Sequence, residues 1–114
     1  MNNQIEEYIK NIPIRKIEHF TTDEKGIVTL EIENKGFFNR LAQKLFKKPK
    51  ISYIHLDEMG SFVWPFIDGE RDIAEIGKLV DEHFGEKAHP LYERLSKYFS
   101  ILASYGFVGF KENK

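Results

Sequence analysis

The chain has 114 residues, a formal net charge of −1 and no cysteine. That length suits one domain around one modest core. The charge balance argues against a duplex-DNA binder, which carries a basic excess, and the lack of Cys excludes a disulfide framework, a thiolate nucleophile or a Cys-based metal site.

The first residues, MNNQIEEYIK, carry acids and lack the apolar core of a signal peptide. Residues 4–10 show a short helical pattern expected to fray, and residues 1–12 read as an N-terminal extension. Pro13 starts a strand-like stretch over 14–20, and Asp23-Glu24-Lys25-Gly26 reads as a hairpin turn in which Gly26 takes a positive φ. Residues 27–33 are the clearest strand, with Val28, Leu30 and Ile32 on one face and Thr29, Glu31 and Glu33 on the other. Residues 35–50 read as a basic helical insertion, its helix spanning 37–46. A third strand follows over 51–55, Ser52 and Ile54 facing away from Ile51, Tyr53 and His55.

Three helical segments complete the chain. Asp57 is a natural N-cap, and Met59, Phe62, Val63, Phe66 and Ile67 form one apolar stripe that Pro65 should kink. Asp72 and Glu75 resemble a capping box opening a helix with Ile73, Ile76, Leu79, Val80 and Phe84 on its stripe and Gly85 at its end. Pro90 fits the first turn of the last helix, whose stripe reads Leu91, Leu95, Tyr98, Leu102 and Tyr105 before Gly106. Residues 107–110 read as a short terminal strand or extended tail. Three strands followed by three helices predict an α+β, winged-helix-like domain with one N-terminal three-stranded antiparallel sheet. No apolar run approaches the ~20 residues of a membrane span.

Enzyme signals are weak. The chain lacks a glycine-rich nucleotide loop, a G-x-S-x-G elbow and an H-E-x-x-H pair. His19, His55, His83 and His89 do not stand at metal-pair spacing, and the carboxylates fall at caps and polar helix faces. No catalytic residue, metal or cofactor is expected.

Three features point to binding. If strand order follows chain order, Ile51, Ser52, Tyr53, Ile54 and His55 form a sheet edge, whose unpaired N–H and C=O groups a peptide can use by adding a strand. On the last helix, Arg94, Tyr98, Ile101 and Tyr105 lie within about 40° of one line with Lys97 beside it. Packed beside the edge, that face makes a groove; the plainer reading is that its apolar members are core. Second, Lys35, Arg40, Lys44, Lys47, Lys48 and Lys50 make a basic block that lacks acids, while 57–86 is rich in them. Such a dipolar surface can steer a partner, or can be two solvated faces. Third, Trp64 falls off the main stripe, as a surface anchor or as core under a kinked helix.

The run Ile54-His55-Leu56-Asp57-Glu58-Met59-Gly60-Ser61-Phe62-Val63-Trp64, then Ile67-Asp68-Gly69 and Asp72-Ile73-Ala74-Glu75-Ile76, resembles the PqqD family. That family shows a strand, an "L-[DN]-x-x-[GA]" helix start, "W-x-x-[IL]-D-G" and "[TD]-[IV]-x-E-I". Arg94, Leu95, Leu102 and the run Tyr105-Gly106-Phe107-Val108 resemble its closing helix and end. The resemblance covers about residues 51–108 and rests on order and spacing.

It implies a cytoplasmic RiPP recognition element: a non-catalytic, winged-helix-like domain that binds the leader segment of a ribosomally made precursor peptide as an added strand. The leader would pair with the third strand, pack against the third helix and be presented to a modifying enzyme, commonly a radical SAM enzyme. Carried onto this chain, the strand wall is residues 51–55 and the helix wall is Arg94, Lys97, Tyr98, Ile101 and Tyr105. Arg40, Lys44, Lys47, Lys48 and Trp64 would be secondary docking residues. The extension and the 35–50 insertion exceed the minimal family domain, and the insertion either covers or enlarges the groove. A homodimer is left open. A winged-helix nucleic-acid-binding regulator and a protein–protein adaptor are the competing readings.

Overall fold

A computed structural model describes residues 3–33 and 51–111. The expected 35–50 helix, with Arg40, Lys44, Lys47 and Lys48, lies outside them. In chain order the elements are α1 (Asn3–Tyr8), β1 (Ile12–Arg15), β2 (Phe20–Thr22), β3 (Val28–Glu33), β4 (Ile51–His55), α2 (Glu58–Val63), a 3-10 turn (Trp64–Phe66), α3 (Ile73–Phe84), a second 3-10 turn (Gly85–Ala88), α4 (Leu91–Ser104) and β5 (Val108–Lys111). The fold is α+β, as the sequence predicts.

The sheet layout departs from expectation. The 14–20 stretch is two pieces serving two sheets: β1 pairs antiparallel with β5, while β2, β3 and β4 form a three-stranded antiparallel sheet in that order. Between them the Lys16 N–H donates to the Phe107 carbonyl at 2.9 Å and the His19 carbonyl accepts from the Glu31 N–H at 3.0 Å. The chain thus changes partner within four residues of continuous strand-like sequence.

The local signals hold where their chemistry is self-contained. Gly26 has φ +85°, and the Asp23 carboxylate accepts from the N–H groups of Lys25 and Ile27 at 2.8 and 2.9 Å. Asp57 Oδ1 caps α2 through the Gly60 N–H at 2.7 Å. Asp72 and Glu75 close a reciprocal capping box on α3. Pro65 ends α2 at Val63 rather than kinking a longer helix, and the chain tightens into a 3-10 turn there.

The core is built from Val28, Leu30, Val63, Trp64, Ile67, Ile73, Ile76, Val80, Leu95, Phe99 and Leu102. On α4 the buried row is Leu95, Phe99 and Leu102, so Phe99 takes the inward place that the periodicity assigns to Tyr105, which is exposed. Trp64 is fully buried with its ring edge-on to Phe20 at 6.0 Å, so the surface-anchor reading of this residue is wrong. A helix ended by proline turns a wider face inward than a straight one.

The described part of the extension is docked on the domain. Ile9 is buried, and the carbonyls of Ile9 and Asn11 accept the N–H groups of Ala74 and Ile73 at 2.9 and 3.1 Å. Those are donors of the first turn of α3, which have no partner within their own helix. The Tyr8 ring packs edge-on to Phe110 at 5.8 Å, and the Tyr8 hydroxyl accepts from Ser100 at 3.2 Å.

Ser61 is a buried polar tie between α2 and the sheet. Its hydroxyl accepts from the Val28 N–H at 2.8 Å and donates to the Leu56 carbonyl at 3.3 Å, while the Leu56 N–H donates directly to the Val28 carbonyl at 2.9 Å. The side chain replaces one strand-to-strand bond and locks α2 to the end of the β3–β4 ladder. Ser61→Ala leaves a buried N–H without its acceptor and is expected to cost about 1–3 kcal/mol, read as a lower midpoint of urea unfolding.

Candidate functional site

β4 is the outermost strand of its sheet: among the described residues no further strand pairs with it. The register fixes what that side offers. Ile54 stands opposite Leu30 and Ser52 opposite Ile32, while Tyr53 stands opposite Glu31 and His55 opposite Thr29. Antiparallel pairs alternate between exchanging backbone bonds and not. The Leu56 N–H to Val28 carbonyl bond starts that alternation, so residues 54 and 52 bond inward to β3. The Glu31 N–H bond to the His19 carbonyl, on the β2 side, confirms the phase. The N–H and C=O groups of Ile51, Tyr53 and His55 therefore point to the open edge.

The side chains divide between two faces. Leu30 is buried, so Ile54 and Ser52 share its inner, helix-bearing face. Ile51, Tyr53 and His55 share the outer face, where the His55 Nδ1 and Thr29 Oγ1 form a cross-strand hydrogen bond of 2.7 Å. The five residues expected to form one strand wall thus supply backbone from one set and inner side chains from the other.

The helix that follows β4, α2, is tied to the middle of α4. The Tyr98 hydroxyl donates to the Gly60 carbonyl at 3.2 Å. Gly60 allows that approach, because a Cβ there would lie 3.0 Å from the Tyr98 ring and 3.0 Å from the Asp57 carboxylate. Asp57, Glu58, Met59, Lys87 and Arg94 are among the residues that line a cavity of about 250 Å³. The Arg94 guanidinium donates to the Lys87 carbonyl at 2.6 Å. Lys97 is exposed, and among the described residues neither Arg94 nor Lys97 has a carboxylate partner.

Beyond this tie the helix presents bare apolar groups. Ile101 is 47% exposed and Tyr105 is 69% exposed, its ring stacked on Phe107 at 5.5 Å. On β4, Ile51, Tyr53 and Ile54 are 43%, 58% and 38% exposed. Among the described residues these five are the exposed large hydrophobic ones. Scattered apolar surface residues need no explanation, but five on one edge strand and one helix face do.

Tyr98 is half-buried and is a member of the helix wall that the structure turns inward. Burial first, and the Asp57 carboxylate second, push its phenol above the ordinary value of 10.0. A phenol harder to ionise when folded stabilises the fold fully below its unfolded pKa, and that contribution is lost as pH rises through the folded value. Stability is therefore expected to fall as pH climbs past about 10, the ordinary tyrosine range. Tyr98→Phe should flatten that decline, measured by thermal unfolding across alkaline pH.

Gly60 and Ser61 are positioning residues: the sequence shows them within a family-like run but does not assign them that role. The available signal was a Gly-Ser pair inside an otherwise apolar helical stripe, where glycine weakens the helix unless a neighbour needs the space.

Among the described residues no helix is long and apolar enough to cross a membrane. No curated protein and no solved structure matches the chain. The family model described as Coenzyme PQQ synthesis protein D (PqqD) matches residues 27–108, the span from β3 to the first residue of β5. With most of its length matched, and with the edge strand, the Trp64 turn and α4 all inside the match, the chain belongs to the PqqD family.

Proposed function

We propose that this domain captures the leader segment of a ribosomally made precursor peptide as an additional strand on β4 and presents it to a modifying enzyme, a radical SAM enzyme being the first candidate. Family membership supports a peptide-binding accessory role in RiPP biosynthesis. The observation that carries the mechanism is the open β4 edge, with the backbone groups of Ile51, Tyr53 and His55 directed outward. Backbone pairing supplies affinity without regard to sequence, and side-chain contacts supply register.

In this reading Ile54, Ile101 and Tyr105 receive the apolar side chains of the peptide, and Arg94 and Lys97 attract its acids. Tyr98 fixes the height of the helix wall by its bond to Gly60. The arrangement needs no catalytic group: the sheet edge and the last helix frame the ligand. Delivery works by effective concentration, because a bound leader holds its precursor near the enzyme.

The test uses labelled peptides covering the N-terminal halves of short open reading frames that flank the gene. Ile101→Asp places a charge where an apolar contact is required. It is expected to weaken binding of the active peptide at least about tenfold, while an exposed site leaves stability within about 0.5 kcal/mol. Calorimetry showing unchanged affinity in Ile101→Asp would remove the helix wall from the mechanism.

A further inference from the structure

The groove reading uses the open edge, Ile54 and the α4 face, and leaves two exposed side chains without a task. An antiparallel sheet with one face in water carries polar residues on that face. The outer face here obeys the rule at Thr21, Thr29, Glu31 and His55, which fall on one side by register. Ile51 and Tyr53 break it, and both stand on the edge strand.

Resting on the reading above, we infer that Tyr53 is a specificity residue that reads the outward-facing side chain of the bound peptide, so that the peptide is recognised on both faces of its strand. The occupant of this patch follows from continuity. A strand added to β4 must place one residue directly opposite Tyr53 and on the same face, about 5.5 Å away between Cα atoms when the two exchange backbone bonds. The Tyr53 groups that point to the open edge make that exchange. The peptide residues on either side of this position fall opposite Ser52 and Ile54 and turn toward the helix face. The same ladder that supplies affinity therefore delivers a side chain onto the Tyr53 ring with no further partner.

The substrate class narrows accordingly. A peptide read on one face alone would show alternating apolar and polar residues. A peptide read on both faces needs two apolar residues in immediate succession: one against Ile54 and the α4 face, the next against Tyr53. Aromatic and β-branched side chains are the favoured cross-strand neighbours of a tyrosine.

The experiment selects a display library of random dodecapeptides against the wild-type chain, Tyr53→Thr and Ile101→Asp. Threonine keeps the strand propensity and removes the ring. Wild-type selection is expected to enrich adjacent apolar pairs with an aromatic or β-branched member. Tyr53→Thr should lose the preference at one position of the pair, and wild-type-selected peptides should bind it about two- to fivefold more weakly. Identical enrichment and equal affinity with Tyr53→Thr would overturn the inference while leaving strand capture intact, provided Ile101→Asp still abolishes binding. Selected peptides that survive both substitutions would overturn strand capture as well. A wild-type dimer that becomes a monomer in Tyr53→Thr, with peptide affinity unchanged, would assign the patch to a second copy and also overturn the inference.

Discussion

Trp64→Ala is expected to destabilise the domain by about 3–5 kcal/mol, the usual cost of emptying a large aromatic site in a core. Trp64 is fully buried, follows buried Val63, and meets Phe20 edge-on at 6.0 Å. Phe20 stands opposite Leu30 in the β2–β3 ladder, so the indole supports the sheet from beneath. Pro65 holds the next residue in the 3-10 turn, which limits how far the backbone can collapse into the space left behind. Small domains have about 5–15 kcal/mol in total, so the loss removes a large share of the folded population's margin. Urea unfolding would show a large drop in midpoint with the slope preserved. A surface anchor would behave in the opposite way, with stability within about 0.5 kcal/mol of wild type and only partner binding impaired.

That residue also shows how far the sequence could be read. Caps and turns were legible because their partners lie within four residues: Asp23 with Ile27, Asp57 with Gly60, Asp72 with Glu75. The place of β4 at the end of its sheet was legible because β2, β3 and β4 neighbour one another in both chain and sheet. The division of 14–20 between two sheets was not, because β1 takes its partner from the far end of the chain, and an alternation pattern does not name its partner. The docking of the extension was missed for the same reason. Its role is to supply carbonyls to a helix start more than sixty residues away, and any residue can supply a carbonyl. On α4, helical periodicity admitted two rows sharing Leu95 and Leu102. The row with Phe99 won, because Phe99 carries no polar atom to satisfy, whereas the Tyr98 hydroxyl finds the Gly60 carbonyl and Tyr105 lies at the C-cap, outside the last turn.

Tyr53→Pro is expected to abolish peptide capture while leaving the domain folded, and the asymmetry comes from the phase of the ladder. In an edge strand, alternate N–H groups face the sheet and alternate ones face outward. The N–H at position 53 is of the outward kind, so proline removes no bond to β3. It takes away a donor that an added strand would use, and its ring stands where the partner backbone must approach. The residue before it, Ser52, is already extended, as proline requires of its predecessor. Binding of the active leader peptide should fall at least about tenfold, for one lost backbone bond and the misalignment of its neighbours. Ile54→Pro is the matched control. One residue along, the same change deletes the bond opposite Leu30 and should lower the unfolding midpoint itself. If both variants kept full affinity, the peptide would not pair with β4. If Tyr53→Pro unfolded the domain as Ile54→Pro does, the phase derived from the Leu56 to Val28 bond would be wrong, and the outward groups would belong to Ser52 and Ile54 instead.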